Sequence, residues 1–166
     1  MDRRLPIKPF PALDHDHRLC VTKAIKAAER YCTQAGVRLT TLRHRVLELV
    51  WASHQPVGAY HLLEQLNQEG RKAAPPTVYR SLDFLLEQGL IHRIASLNAF
   101  VGCNHPGLEH TAQFFICDRC GQAAELEDAA IDTAIARDAE RLGFRVQKRT
   151  IEVAGTCPLC QAREEP

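Results

Sequence analysis

The sequence predicts an α+β fold in two parts: an N-terminal part in which helices close on a short hairpin, and a C-terminal α/β part pinned by cysteines. Three observations lead there. Apolar residues recur at helical spacing in four successive stretches between His17 and Gly89. Two β-like runs follow at once, and the last third holds two Cys-x-x-Cys pairs with 36 residues between them.

Composition bounds the alternatives. The chain has 166 residues, 45% hydrophobic and 25% charged, which excludes collagen-like, low-complexity and wholly disordered classes. Apolar runs are interrupted by charge well short of the ~18 residues of a membrane helix, so a soluble protein with no membrane partner is expected. The opening MDRRLPIKPFPALDHDH is broken by prolines and acids and lacks the apolar segment of a secretory signal. Seven cysteines in such a chain suit a reducing cytoplasm, where they serve more often as metal ligands or buried thiols than as disulfides. The net charge of +1 conceals an asymmetry. Residues 1–95 hold 14 Lys and Arg against 9 Asp and Glu, giving +5, and residues 96–166 hold 7 against 11, giving −4. A basic half joined to an acidic half is expected where only one half meets a polyanion.

Residues 1–16, with Pro6, Pro9 and Pro11 and no periodicity, are expected as a flexible arm. In the first domain, 17–95, Leu19, Ala24, Ala27, Ala28 and Tyr31 mark a helix ended by Gly36. Thr40 caps a second helix with Leu42, Val46, Leu49 and Val50 on one face. A third runs through Leu62, Leu63 and Leu66 to about Gly70. The fourth begins at Pro75-Pro76, buries Val78, Leu82, Leu85 and Leu86, and closes at Gly89. Leu90–Ala95 and Ala99–Cys103 read as strands around a Ser96-Leu97-Asn98 turn, and 96–102 as the linker to a second domain, 103–166. There, Gln113–Ile116 and Ala123–Leu126 read as strands, about Asp128 to Leu142 as a helix capped by Gly143, and Phe144–Val153 as a final strand. A piece of roughly 60 residues has little core, so metal and a partner subunit are both expected as supports.

Compact helices followed by a hairpin give the winged helix-turn-helix order. With Val78 facing inward, Arg80 lies ~200° around the fourth helix and points out. Thr77 opens that helix and Tyr79 sits between. An outward Arg near a helix start can reach phosphates or fork onto a guanine edge in the major groove. Arg71 and Lys72 just before it, with Arg38, Arg43 and Arg45, are candidates to hold the DNA backbone.

Cys117-Asp118-Arg119-Cys120-Gly121 and Cys157-Pro158-Leu159-Cys160 are knuckles whose thiolates together complete a closed tetrahedral zinc site. Cys20 and Cys32 are expected as small apolar residues in the first helical region, and His44, His54 and His61 as ordinary polar positions. Cys103 sits among His92, His105, His110 and Glu125; one thiolate, two imidazoles and a carboxylate would make a second tetrahedral site.

These residues resemble the ferric uptake regulator (Fur) superfamily and, within it, its zinc uptake regulator (Zur) branch. The resemblance spans residues 18–161 and is carried by Arg38-Leu39-Thr40 leading into Arg43, by Pro76-Thr77-Val78-Tyr79-Arg80-Ser81-Leu82 with Leu85, and by both knuckles. It implies a homodimer of chains with a winged-helix DNA-binding domain and a C-terminal dimerisation domain, binding double-stranded operator DNA when loaded with metal. It places a structural zinc on Cys117, Cys120, Cys157 and Cys160 and a sensing zinc on His92, Cys103, His110 and Glu125, two Zn2+ per subunit, and sets Tyr60 and Arg80 at positions that approach bases. The chain departs from the family in carrying only two histidines in His105-Pro106-Gly107-Leu108-Glu109-His110, before the first knuckle, and in Leu42 where proline is common.

The expectation is therefore a cytoplasmic, zinc-responsive repressor of zinc-uptake genes that acts on palindromic operators, with Tyr60, Thr77, Tyr79, Arg80, Arg38 and Lys72 as DNA contacts. The alternative is an iron- or manganese-responsive regulator; Cys103 softens the second site and favours zinc. No enzyme is expected, and no small-molecule substrate, because closed metal sites do not turn over substrate and His-Glu-x-x-His is absent.

Overall fold

The computed structural model describes Phe10 and residues 16–107, 110–147 and 149–163. They form two compact units: residues 16–107, and residues 110–163 together with Phe10. The arm expected over 1–16 lies outside the described residues except for Phe10 and Asp16. No helix of the described residues is long and apolar enough to cross a membrane.

The first unit begins with α1 (His17–Ala35), whose N-cap Asp16 accepts from the Arg18 amide and whose end is closed by Gly36 at φ 68°. Amide groups of the first turn have no helical partner, and the Asp16 carboxylate satisfies one of them. Thr40 does the same for α2 (Thr41–Val50), accepting from the Arg43 amide. α3 (Ala59–Gln68) and α4 (Pro75–Glu87) complete the helices. Val46, Leu47, Val50, Leu62, Leu66, Val78, Leu82 and Leu85 are each at most 1% exposed and form one core with Ala28 and Cys32.

A three-stranded sheet closes this unit. β2 (Ile91–Ile94) pairs antiparallel with β3 (Ala99–Gly102), and β3 pairs on its other side with β1 (Val57–Gly58), a two-residue strand too short to leave a sequence signal. This corrects the expected boundary. Residues 96–102 are the turn and central strand of the first unit's sheet, not a linker, because β3 is hydrogen-bonded on both edges. Trp51 follows α2 and packs its indole against Gly102 of β3, so closely that a methyl group placed on Gly102 would clash with the ring.

In the second unit β4 (Gln113–Cys117) is central, antiparallel to β5 (Ala123–Leu126) and parallel to β6 (Ile151–Gly155). A parallel neighbour needs a crossover, here through α5 (Ala129–Arg141), capped by Asp128. The expected strand over Phe144–Val153 starts later, at Ile151; Phe144 is 67% exposed and unpaired in the sheet. A final turn of helix, α6 (Pro158–Gln161), follows the second knuckle. No residue of α5 is buried within the chain, and Phe115, Val153, Leu142 and Phe144 are exposed. Phe115 and Val153 are register partners across β4 and β6, so the sheet carries an apolar face of its own.

Gly102→Ala should lower stability by about 1–3 kcal/mol, the usual cost of overpacking. Urea denaturation monitored by Trp51 fluorescence measures it; an unchanged midpoint would show that the indole gives way without loss.

Candidate metal centres and nucleic-acid interface

The parallel register of β4 and β6 sets Cys117 opposite Gly155. Both knuckles therefore leave the sheet at the same end. The first is folded by its own backbone: the Cys117 amide donates to the Gln122 carbonyl at 2.8 Å, and the Gly121 amide returns to the Cys117 carbonyl at 2.9 Å, with Gly121 at φ 71°. That left-handed conformation favours glycine, which has no Cβ to clash. The Asp118 amide donates to Gly155 at 2.9 Å and ties the knuckle to β6.

The sulfur atoms of Cys117, Cys120, Cys157 and Cys160 lie within 4.8 Å of one another. All four cysteines are free thiols. Cys117 and Cys157 are 1% and 2% exposed. The Cys157 amide donates to the Cys117 sulfur at 3.3 Å. Backbone amides of Cys120 and Cys157 hold the Cys117 thiol down at about 6, whereas burial, reinforced by the neighbouring sulfurs, pushes Cys160 up to about 12. The chain's own amides thus favour a thiolate at Cys117, while burial opposes one at Cys160. Four sulfurs without an open position are the donor set of structural zinc. Phe10 and Leu159 pack against this cluster, a cover for the sulfurs that no periodicity in the first residues signals.

Each of the other proposed ligands is placed within its own unit. In the first, the β2–β3 pairing holds the His92 ring and the Cys103 sulfur within 4.8 Å, Cys103 being 2% exposed. The Cys103 amide donates to the Leu90 carbonyl at 3.1 Å and so extends the hairpin by one step. In the second, His110 Nε2 lies 3.0 Å from Glu125 Oε1 and 3.8 Å from Glu127 Oε1, the His110 and Glu125 side chains being 9% and 5% exposed. His110 and Glu125 thus present their ligating atoms side by side. His105 is exposed.

On α4, Val78 is 1% exposed, while Thr77, Tyr79 and Arg80 are exposed. Tyr60, near the start of α3, is 74% exposed, and Arg38 and Lys72 are exposed as well. The other cations of the expected cluster are engaged inside the unit. Arg43 stacks 3.7 Å from the Phe84 ring centroid and donates to the Arg38 carbonyl. Arg45 forks onto Glu69, 2.6 Å at the closest, and reaches Glu48 at 2.8 Å; these bonds hold its guanidinium well above, and the Glu69 carboxyl below, their ordinary values. Arg71 pairs with the same Glu69 at 3.3 Å. Arg43 and Arg45 thus brace the helices, and the outward cations near α4 are Lys72 and Arg80.

The ferric uptake regulator family model matches residues 34–154. The chain belongs to the ferric uptake regulator family. Within this Fur family it is 41% identical over 134 residues to the zinc uptake regulation protein of Escherichia coli (strain K12), covering 80% of this chain and 78% of that one. It is 29% identical over 131 residues to the protein of that name from Mycobacterium tuberculosis (strain ATCC 25618 / H37Rv), covering 77% and 98%. A solved zinc uptake regulator in complex with zinc and DNA matches with a TM-score of 0.82 and 39% identity, over 87% of this chain and 97% of that one. Holo XcZur matches with 0.78 and 45%, over 84% and 98%. The chain falls in the zinc uptake regulator branch of the family, with these relatives.

Cys117→Ser should remove one zinc per chain and unfold the second unit, since structural zinc sites contribute folding energy directly. Native mass spectrometry with far-UV circular dichroism reads both; a fully loaded, folded variant would refute the structural assignment.

Proposed function

We propose that this chain is a zinc-responsive repressor of zinc-uptake genes, acting in the cytoplasm as a homodimer on palindromic operator DNA. The observation that carries this reading is the outward set Thr77, Tyr79 and Arg80 on α4, in a chain whose 39%-identical solved relative holds zinc and DNA. Arg80 reads a base edge or grips phosphate, Thr77 and Tyr79 flank it, Tyr60 approaches the bases beside it, and Arg38 and Lys72 hold the backbone at the rim. Arg45 and Glu69 keep α2 against the end of α3 so that these side chains are presented from a rigid frame. The exposed Phe115, Val153, Leu142 and Phe144, with an α5 that buries nothing within the chain, supply the apolar face of the homodimer.

Two zinc ions per subunit fit this reading. Cys117, Cys120, Cys157 and Cys160 hold the permanent one. His92 and Cys103 from the first unit, with His110 and Glu125 from the second, hold the exchangeable one; each pair is already assembled within its own unit. Zinc bound to ligands from both units favours the arrangement in which all four are satisfied, and it does so by its higher affinity for that state. Operator and zinc then tighten each other by the same factor. The thiolate of Cys103 selects zinc over iron or manganese, which prefer imidazole and carboxylate.

Operator affinity should rise with free zinc, and Cys103→Ser should abolish that rise while leaving the dimer folded. Gel shifts against buffered zinc, iron and manganese decide it; zinc dependence retained in the variant would overturn the sensing assignment. Arg80→Ala should cost about 1–3 kcal/mol of operator binding and relax sequence preference. An isotherm identical to wild type would remove Arg80 from the reading surface.

A further inference from the structure

One cluster of metal-ligating side chains takes no part in either centre. His17 is the first residue of α1, Cys20 lies one turn on, and His54 sits in the loop between α2 and β1. Residues three apart share a helix face, so His17 and Cys20 project together. Their ligating atoms and that of His54 lie within 4.8 Å of one another, and all three side chains are half-buried. The two imidazole rings meet edge to face, with centroids 4.4 Å apart.

The hydrogen bonding gives this cluster a direction. His17 Nε2 lies 2.6 Å from the Trp51 carbonyl oxygen. A carbonyl only accepts, so Nε2 carries the proton and, in the neutral ring, Nδ1 carries the lone pair. Nδ1 is shielded from solvent. A ligating histidine typically donates its other N–H to a backbone carbonyl, which fixes its tautomer and ring orientation. Asp16 is occupied as the N-cap on the Arg18 amide. The donor set is thus His17, Cys20 and His54, two borderline nitrogens and one soft sulfur, which suits zinc.

We propose that His17, Cys20 and His54 form a third zinc site, confined to the first unit and separate from the structural and sensing centres. Three protein ligands leave a fourth position for water, so this ion binds more weakly and exchanges more readily than one held by four cysteines. It joins the first turn of α1 to the loop that leads into β1 and α3. The same Trp51 that accepts from His17 packs its ring on Gly102, so the ion braces the hairpin frame as well.

The test is zinc stoichiometry of the intact dimer by native mass spectrometry at saturating zinc, comparing wild type with Cys20→Ser, His54→Asn and Cys103→Ser. Wild type should reach a plateau one zinc per chain above the other two centres. Both Cys20→Ser and His54→Asn should lose that single ion, with unchanged circular dichroism. Cys103→Ser should lose a different one, so its double variant with His54→Asn should lose two. Cobalt substitution adds a second readout: a sulfur-to-cobalt charge-transfer band present in Cys103→Ser should weaken on adding Cys20→Ser. A plateau that neither His54→Asn nor Cys20→Ser lowers, or zinc uptake without a plateau, overturns the third site. Failure of Cys103→Ser alone to change the count bears only on the sensing centre. Should Cys20→Ser not fold, His54→Asn, altered in a loop, decides by itself.

Discussion

The parallel pairing of β4 with β6 is the constraint on which the second unit depends. Its register sets Cys117 opposite Gly155 and sends both knuckles off the same end of the sheet. Four sulfurs within 4.8 Å of one another, three of them on buried residues, form a compact donor set suited to one cation. The unit is small and buries no residue of α5. Its cohesion therefore rests on the sheet and the cysteine cluster rather than on a large core of its own.

The first unit is organised on a different principle. Its apolar core is nearly closed, and its charges divide into two kinds. Arg43, Arg45, Arg71, Glu48 and Glu69 are spent on one another or on an aromatic face, holding helix against helix. Arg80, Lys72 and Arg38 are turned outward. A surplus of positive charge in the sequence is thus a poor measure of the charge presented to DNA.

Much of this was legible beforehand, for physical reasons. α1 ends where Gly36 can adopt a left-handed conformation, α2 starts where Thr40 can cap, and the period that buries Val78 turns Arg80 out. The Cys-x-x-Cys spacing announced its site because paired thiolates at that bite have few other uses. Long-range pairings left no local trace. The bond between Arg45 and Glu69 spans 24 residues, and Arg45 read as a candidate for the DNA backbone. β1 is two residues long, and β3 takes its place between β1 and β2 only through partners distant in sequence. The final strand was misplaced because Phe144 and its neighbours are apolar enough to read as a strand yet have no edge to pair with. His54 read as an ordinary polar loop residue because its neighbours His17 and Cys20 lie more than 30 positions away.

Phe10 packs on the knuckles although residues 16–107 fold into the other unit. The second unit is thus made of two stretches of chain that flank the first. Folding kinetics follow from this. Phe10 must return to the knuckles across more than 100 residues, while Cys157 reaches Cys117 across 40, so the cover carries the larger loop-closure cost and is expected to join last within this unit.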